Sequence, residues 1–350
     1  MPGGMRGEWE LPDVEDLLAT AVVVRLPMRT RFRGLTFRET MVFAGPAGWG
    51  EFGPFVEYED AEASAWLRAG IEAAYLGPPP AVRDTVPVNA TVPAIPADEV
   101  PDLLKRYPGA GTAKVKVAEP GQTLDDDVAR VAATRELIGR VRVDANGGWS
   151  VDEAITALRA IGDVEYAEQP CRTVEELAQV RRAVEVPIAA DESIRKADDP
   201  LRVVAADAAD VAVVKVAPLG GMRATLELAD TLGLDVVVSS ALDSAVGMAA
   251  GVAAAAALPR LDLACGLGTG SLFTADVAPS FLMRDGVVEP RWFGPDADVD
   301  AVAHAAPEGR RQWWRDRLRR CHRLLVAELV RNAFTESSQH GLVCDVDHIP

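Results

Sequence analysis

Residue types that carry much of common enzyme chemistry are scarce in this sequence. Four cysteines occur among 350 residues, and no two of them form a Cys-x-x-Cys pair. They are therefore interpreted as ordinary core or surface residues of a protein from a reducing compartment. All four histidines lie between His304 and His348, near the C-terminus. This placement disfavours a Ser-His-Asp triad and a histidine metal cluster, since either would depend on the C-terminal tail.

Long apolar runs and excess positive charge are also absent. No stretch of about 18 uncharged apolar residues occurs, and the alanine-rich segment 245–258 is too short to span a bilayer. The acidic N-terminus, MPGGMRGEWELPDVEDLL, has no apolar signal core. The net charge of −17 disfavours nucleic acid and anionic membranes as partners. We therefore expect a cytoplasmic protein that acts on a small molecule; the sequence leaves its oligomeric state open.

The chain does contain a repeat of apolar runs that end in polar residues. The runs are TAKVKV (112–117), RVRVDAN (140–146), VEYAEQP (164–170), PIAADES (187–193) and VAVVKVA (211–217). One residue from each run, Lys116, Asp144, Glu168, Asp191 and Lys215, follows the previous one at steps of 28, 24, 23 and 24 residues. Predicted helices separate the runs. A strand–helix–strand unit of this size predicts a parallel (β/α) barrel, in which the strand ends converge on one site.

Further elements are predicted on both sides of the repeat. The segments TVPVNATV (85–92), DVVVSSAL (235–242) and LDLACGLG (261–268) bring the number of predicted strands to eight. Residues 15–58 predict an antiparallel meander, and 59–76 a helix. Helices are predicted at 198–206, within the repeat, and at 312–330. The apolar stripe of the last helix is expected to pack onto the body of the protein, with an oligomer interface as the alternative.

The lysines point to proton transfer. Only five of the 36 basic residues are lysine, and Lys114, Lys116 and Lys215 lie inside apolar strands. A buried ammonium group must be paired or neutralised, and lysine, unlike arginine, loses its proton when desolvated or placed near other cations. Lys116 and Lys215 are therefore the predicted catalytic residues. Lys114 shares a strand face with Lys116 and is predicted to support it electrostatically; the alternative is that one lysine points outward in an ion pair.

The three acids point to a metal. One acid after a strand commonly caps the next helix, but Asp144, Glu168 and Asp191 follow three strands in succession. Three hard oxygen ligands with open positions favour Mg²⁺, with Mn²⁺ as a possible substitute. Asn146 and Glu192 are expected to orient these ligands or balance their charge.

The order KVK, DAN, EQP, DES and then a lysine on the next strand resembles the enolase superfamily, in its muconate-lactonizing-enzyme subgroup. The resemblance extends to about residue 290 and implies a (β/α)7β TIM-like barrel with an α+β capping domain. The expected domains are 1–84 for the first part of the cap, 85–275 for the barrel, and 276–350 for the C-terminal segment that completes the cap. The resemblance also implies metal ligands on strands three to five and lysines on strands two and six.

Within the subgroup, the segments FRGLTFRE and GWGEFGPF, with Tyr58, most resemble the o-succinylbenzoate synthases of menaquinone biosynthesis. This resemblance implies a hydro-lyase that performs a metal-dependent syn dehydration of 2-succinyl-6-hydroxy-2,4-cyclohexadiene-1-carboxylate through an enediolate. N-acylamino-acid racemases and dipeptide epimerases share the same metal and lysine set, so they remain alternatives. A Schiff-base lysine aldolase and an inactive binding protein are alternatives from other classes.

Contacts to a dicarboxylate substrate are expected from three places. The loop RTRFRG (29–34) carries Arg31 between two further arginines and would reach over the barrel, although a solvated basic loop is an equal alternative. Ser239 and Ser240 end the seventh strand, and Gly220 and Gly221 follow the Lys215 strand. Both pairs are expected at the end of the barrel that would meet a succinyl or acyl tail.

Overall fold

The computed structural model describes residues 11–32, 34–195 and 199–340. The N-terminal region contains α1 (Val14–Thr20), β1 (Val22–Phe32), β2 (Leu35–Gly45), β3 (Gly48–Phe52) and α2 (Asp60–Leu76). The three strands form an antiparallel sheet in chain order, as predicted. The meander prediction is wrong for its first residues, which are helical because Asp13 caps α1 by accepting a 2.8 Å hydrogen bond from the backbone N–H of Glu15.

The central region alternates strands and helices. Its elements are β4 (Val86–Pro87), β5 (Ala90–Val92), α3 (Val100–Leu104), β6 (Thr112–Lys116), α4 (Leu124–Arg135), β7 (Arg140–Asp144), α5 (Val151–Ile161), β8 (Ala167–Glu168), α6 (Val174–Ala183), β9 (Ile188–Ala190), α7 (Glu192–Arg195), α8 (Arg202–Ala205), β10 (Val211–Val214), α9 (Met222–Leu232), β11 (Asp235–Val238) and α10 (Ala245–Ala257). Strands β5 to β11 form one parallel seven-stranded sheet in chain order. The predicted helix 198–206 shortens to α8, and its first residue lies outside the described ranges.

Three successive helices of this region begin with the same arrangement of capping hydrogen bonds. The caps Thr123, Ser150 and Thr173 each accept a hydrogen bond from the backbone N–H three residues later, and the acid at that position bonds back to the cap backbone. This capping box satisfies backbone donors that a helix start leaves unpaired. It therefore fixes where α4, α5 and α6 begin, and with them the lengths of the loops after β6, β7 and β8.

The parallel sheet curls so that its two ends approach each other. Cys265 forms a parallel bridge with Val88, beside β5, and Gly266 forms one with Ser239, just after β11. The backbone N–H of Asn89 donates to Cys265 O at 2.9 Å. The predicted eighth strand at 261–268 is thus wrong as a regular strand, because only these two residues pair with the sheet.

The C-terminal segment returns to both sheets. Strand β12 (Val287–Val288) pairs antiparallel with β4, and α11 (Glu308–His340) is longer at both ends than the predicted 312–330. The predicted stripe of Trp314, Leu318, Cys321 and Leu325 is buried, which confirms that it packs onto the body. Within the described residues, no helix combines the length and the apolar character needed to cross a membrane.

Candidate active site

Five predicted site residues lie at the C-terminal ends of consecutive parallel strands. Lys116 ends β6 and pairs in register with Asp144, which ends β7 and pairs in turn with Glu168 at the end of β8. Asp191 directly follows β9, and Lys215 directly follows β10. Since the ends of neighbouring parallel strands meet at one rim, the repeat brings two lysines and three acids into one cleft.

The lysines of β6 contact the first two acids. Lys116 Nζ lies 2.5 Å from both Asp144 Oδ2 and Asn146 Oδ1. Lys114 Nζ donates to both carboxylate oxygens of Glu168, at 2.9 and 2.8 Å, and lies 3.3 Å from Asp144 Oδ2. The prediction that both lysines share one strand face is therefore confirmed, and the alternative of an outward ion pair is wrong.

A second group of contacts surrounds Asp191. Lys215 donates to Asp191 Oδ2, and Arg195 Nε donates to Asp191 Oδ1 at 2.9 Å. Arg195 also donates to Glu192 Oε1 at 2.7 Å and to Tyr58 Oη at 3.0 Å. Tyr58 precedes α2, so this arginine links the N-terminal region to the rim of the parallel sheet.

The predicted supporting residues Asn146 and Glu192 also contact each other. Asn146 Nδ2 donates to Glu192 Oε1 at 3.3 Å, while its own backbone N–H donates to Asp144 Oδ1 at 3.1 Å. Asn146 adopts a left-handed backbone conformation with φ 47°, which asparagine tolerates better than most residues. It thereby connects the two groups of charged residues.

Burial and neighbouring charges shift the pKa values of the acids in opposite directions. Burial and the negative charge of Asp144 raise the pKa of Glu168 to about 7, with a further contribution from Asp191. Burial alone would also raise the pKa of Asp144 and Asp191, but the ammonium groups of Lys116 and Lys215 outweigh it and hold both pKa values well below their usual range. Asp144 and Asp191 are therefore ionised at neutral pH, whereas Glu168 is close to half-protonated.

The two buried lysines also differ. Burial lowers the pKa of Lys215, and Asp191 offsets this only in part. Burial acts on Lys114 in the same direction, but the carboxylates of Glu168 and Asp144 outweigh it and raise the pKa of Lys114 above its usual range. Lys114 is therefore expected to stay positively charged at neutral pH.

The donor set fits a divalent metal in its chemistry. Three buried carboxylates supply hard oxygen ligands, and the negative charges of Asp144 and Asp191 both contribute to the raised pKa of Glu168. Across the described ranges, however, no three Asp, Glu, His or Cys side chains have their ligand atoms gathered around one point. The ammonium groups of Lys114, Lys116 and Lys215 lie at the carboxylate oxygens instead.

Predicted and unpredicted residues together form the wall of the cleft. Ser239 and Ser240 line it, as do Phe32, Thr91 and Thr269. Ser240 Oγ lies 2.5 Å from Thr269 Oγ1. The ring of Phe32, at the end of β1, has its centroid 5.4 Å from Lys116 Nζ, so the N-terminal sheet contributes directly to the cleft.

The other predicted substrate contacts lie further out. Arg31 precedes Phe32 on β1 and is exposed, while Arg33 lies outside the described residues. Gly220 and Gly221 have φ values of +88° and +134° and pack beside α2, where a side chain on Gly221 would collide with the carboxylate of Glu72. The structure thus places this glycine pair against the N-terminal region and outside the cleft wall.

Gln169 is a functional residue that the sequence reasoning missed. It is fully buried, and its Oε1 accepts hydrogen bonds from the backbone N–H groups of Asp191 (3.0 Å) and Ser193 (3.1 Å). Its Nε2 donates to Ser193 Oγ at 2.7 Å. One signal was available, because an amide directly after Glu168 in an apolar run must find partners when buried. Phe32, Thr91 and Arg195 give no comparable local signal.

Comparison with known proteins defines the class. Residues 99–296 match the family described as enolase C-terminal domain-like, and residues 23–74 match the enolase N-terminal domain-like family. The fold resembles that of the muconate lactonizing enzyme from Pseudomonas fluorescens, with a TM-score of 0.70 and 22% identity over 82% of this chain and 98% of that chain. The chain therefore belongs to the enolase superfamily, as the sequence motifs predicted.

Closer relatives define the family within that class. The chain is 61% identical over 320 residues to an o-succinylbenzoate synthase from Mycobacterium bovis, which covers 90% of this chain and 98% of the relative. A synthase of the same name from Mycolicibacterium smegmatis is 61% identical over 318 residues, or 90% of this chain and 99% of the relative. The chain therefore belongs to the o-succinylbenzoate synthase family of the enolase superfamily.

Proposed function

We propose that the protein catalyses the syn dehydration of 2-succinyl-6-hydroxy-2,4-cyclohexadiene-1-carboxylate to 2-succinylbenzoate, a lyase step of menaquinone biosynthesis. The observation that carries this proposal is the 61% identity with o-succinylbenzoate synthases over 90% of the chain. The geometry of the cleft supports it, because lysines on β6 and β10 lie on either side of three acids. A (β/α)7β barrel with a cap built from 1–84 and 276–350 is the architecture we propose for it.

We assign Mg²⁺ to Asp144, Glu168 and Asp191, with Mn²⁺ as a substitute. When bound, the cation would act as a Lewis acid on the substrate carboxylate and offset the negative charge that develops beside it. Asn146 and Glu192 hold the surrounding side chains in place through their mutual hydrogen bond and through Arg195. Asp144, Glu168 and Asp191, which pair with lysines in the structure, would be the residues that hold the cation.

Lys116 is the proposed base. In its neutral form it removes the proton α to the substrate carboxylate, and the electrons of that C–H bond pass into the carboxylate group as an enediolate. These electrons then form the new ring double bond as the β C–O bond breaks, and the departing hydroxide takes the same proton from Lys116 and leaves as water. In a syn elimination one group can serve both atoms on one face of the ring, and we assign this role to Lys116 at the end of β6.

Lys215 and Lys114 act electrostatically in this scheme. Lys215 follows β10, four strands along the sheet from β6 with Lys116, and we assign it to the opposite face of the substrate. Its positive charge would stabilise the negative charge formed on proton removal. Lys114, paired with Glu168, offsets part of the negative charge of the carboxylates. In a racemase the same Lys215 would instead deliver a proton.

The cleft wall is proposed to hold the succinyl tail. Ser239 and Ser240 offer hydroxyl groups next to the lysines, and exposed Arg31 lies one residue from Phe32 at the rim. Because the whole protein carries a net charge of −17, a dicarboxylate needs local positive charge to approach. We propose that Arg31 supplies part of it.

The test is an assay of the purified protein with the cyclohexadiene substrate, following the absorbance of the aromatic product. We expect dehydration that EDTA abolishes and added Mg²⁺ restores. A panel of N-succinyl amino acids run in parallel measures the racemase alternative. Borohydride treatment with substrate should leave no adduct on any lysine, since an aldolase would form a Schiff base. Activity that persists in EDTA would contradict the metal-dependent assignment.

A further inference from the structure

A buried ion pair on α4 holds the backbone directly after the Lys116 side chain. Arg130 Nη1 donates to Lys116 O at 2.7 Å and to Asp127 Oδ1 at 2.9 Å. The other oxygen of Asp127 accepts a 2.9 Å hydrogen bond from the backbone N–H of Ala118. Arg130 and Asp127 are only 1% and 3% exposed. A single pair of side chains therefore fixes the carbonyl of Lys116 and the amide two residues later.

The same guanidinium reaches two further segments. Arg130 Nε donates to Ile95 O at 2.6 Å, in the loop after β5, and Nη2 donates to Gln122 Oε1 in the loop before α4. Gln122 in turn donates to Ala94 O at 3.0 Å. A planar guanidinium with five N–H donors can serve acceptors in several directions at once, which an ammonium group on a flexible stem does less well. Arg130 thus joins the ends of two adjacent strands.

The backbone that this pair holds is strained. Ala118 has φ 59°, in the left-handed region that residues with a side chain rarely adopt. Its side chain lies against Gly148, where an added Cβ would be only 2.8 Å away. Such a turn persists only where the surroundings hold it. The hydrogen bond from Ala118 to Asp127 supplies that restraint directly after the β6 lysines.

We propose that Arg130 and Asp127 are positioning residues for proton abstraction, and that they act by fixing the main chain that carries Lys116. The proposal rests on the proposed function, since it takes Lys116 as the base. Neither residue lines the cleft, so they act through the backbone of Lys116 rather than on the substrate. Displacing a reacting group by about 1 Å costs on the order of 100-fold in rate. A loosened strand end should therefore slow proton transfer more than it weakens substrate binding.

Arg130→Lys is the first test, because it keeps the positive charge but cannot satisfy all the acceptors. We expect kcat to fall about 10- to 100-fold, while KM stays within about threefold. With substrate deuterated at the α-carbon, the isotope effect on kcat should rise, because C–H cleavage becomes more limiting. Val131→Ala is the control, since Val131 is the next residue of α4 and is 1% exposed in the core. It should lower the melting temperature without changing the isotope effect.

Amide hydrogen exchange gives a readout that needs no substrate. The peptide containing Ala118 should exchange about tenfold faster in Arg130→Lys and in Asp127→Asn, but not in Val131→Ala under native conditions. Wild-type kcat, isotope effect and exchange in Arg130→Lys would overturn the proposal, as would effects matched by Val131→Ala. A wild-type protein without dehydratase activity would instead refute the proposed function, and the exchange measurement would still decide whether this ion pair restrains the Lys116 segment.

Discussion

Glu51 and Ser244 join the N-terminal sheet to the cleft. The Glu51 carboxylate, on β3, accepts hydrogen bonds from the hydroxyl of Ser244 and from its backbone N–H, the latter at 3.0 Å. Ser244 is also the N-cap of α10, and the cleft residues Ser239 and Ser240 lie a few positions earlier. This contact therefore fixes one wall of the cleft relative to the N-terminal sheet.

Glu51 should make stability depend on pH. Burial and the negative charge of Asp243 raise the pKa of Glu51 from 4.5 to about 7. Below about pH 4.5 both the native and the unfolded states hold the proton. Between that value and about 7 only the native state holds it, so stability falls as the pH rises through this window. Glu51→Gln should remove roughly 3 kcal/mol of this dependence, measured by urea unfolding across the window. Glu185→Gln, at an exposed position, should leave it intact; an unchanged slope in Glu51→Gln would exclude Glu51 as the source.

Asp191→Asn should abolish activity while the protein stays folded. Asparagine removes one ligand charge but keeps an oxygen that can accept the 2.9 Å bond from Arg195. We expect Mg²⁺ affinity to fall by more than about 100-fold, measured by calorimetry beside circular dichroism. Asp235→Asn, exposed at the opposite end of the sheet, serves as the control. Near wild-type turnover in a folded Asp191→Asn protein would remove Asp191 from the metal site.

Lys116→Ala should eliminate proton abstraction from every substrate. Lys116→Arg should fail as well, because arginine does not lose its proton at neutral pH. We expect losses of at least about 100-fold in kcat, measured by dehydration and by exchange of the α-proton in deuterated water. Lys105→Arg changes an exposed lysine that pairs only with Asp102 in the described structure. It should leave kcat unchanged. Substantial activity in Lys116→Arg would place the general base elsewhere.

Dehydration should be the efficient reaction and racemisation the slow one. The two lysines proposed as catalytic would suit both reactions, so the expectation rests on the family to which the chain belongs. The measurement compares kcat/KM for the cyclohexadiene with that for N-succinyl amino acids, together with deuterium incorporation at their α-carbon. Racemisation faster by tenfold, about 1.4 kcal/mol in transition-state energy, would overturn the synthase assignment. It would leave the assignment of the acids and lysines to the site unchanged.

Most of the cleft residues that were predicted lie at or just after the end of a strand in a regular repeat. The repeat fixes which residues lie at the same rim, because parallel strands of equal spacing put their carboxyl ends together. Lys116, Asp144 and Glu168 were therefore placed from spacing alone, and their strand register agrees. The capping boxes at Thr123 and Ser150 are equally local. The starts of these helices can therefore also be predicted from the sequence.

Elements whose form depends on distant contacts were predicted less well. The segment 261–268 has the composition of a strand, yet only Cys265 and Gly266 pair with the sheet. The two ends of the sheet come close enough to pair with this segment only at these two residues. Residues 14–20 are apolar enough for the meander, but the Asp13 cap and burial of Leu17 favour a helix.

The amino-acid sequence by itself determined the chemistry of the cleft: which acids and lysines it contains, their order, and the strand ends that carry them. The tertiary structure decided what surrounds them. Phe32 reaches Lys116 from the N-terminal sheet, Gln169 fixes the backbone at Asp191, and Arg130 holds the carbonyl of Lys116. Spacing along the chain could not reveal these contacts, because each depends on how the chain curls and packs in three dimensions rather than on a local period.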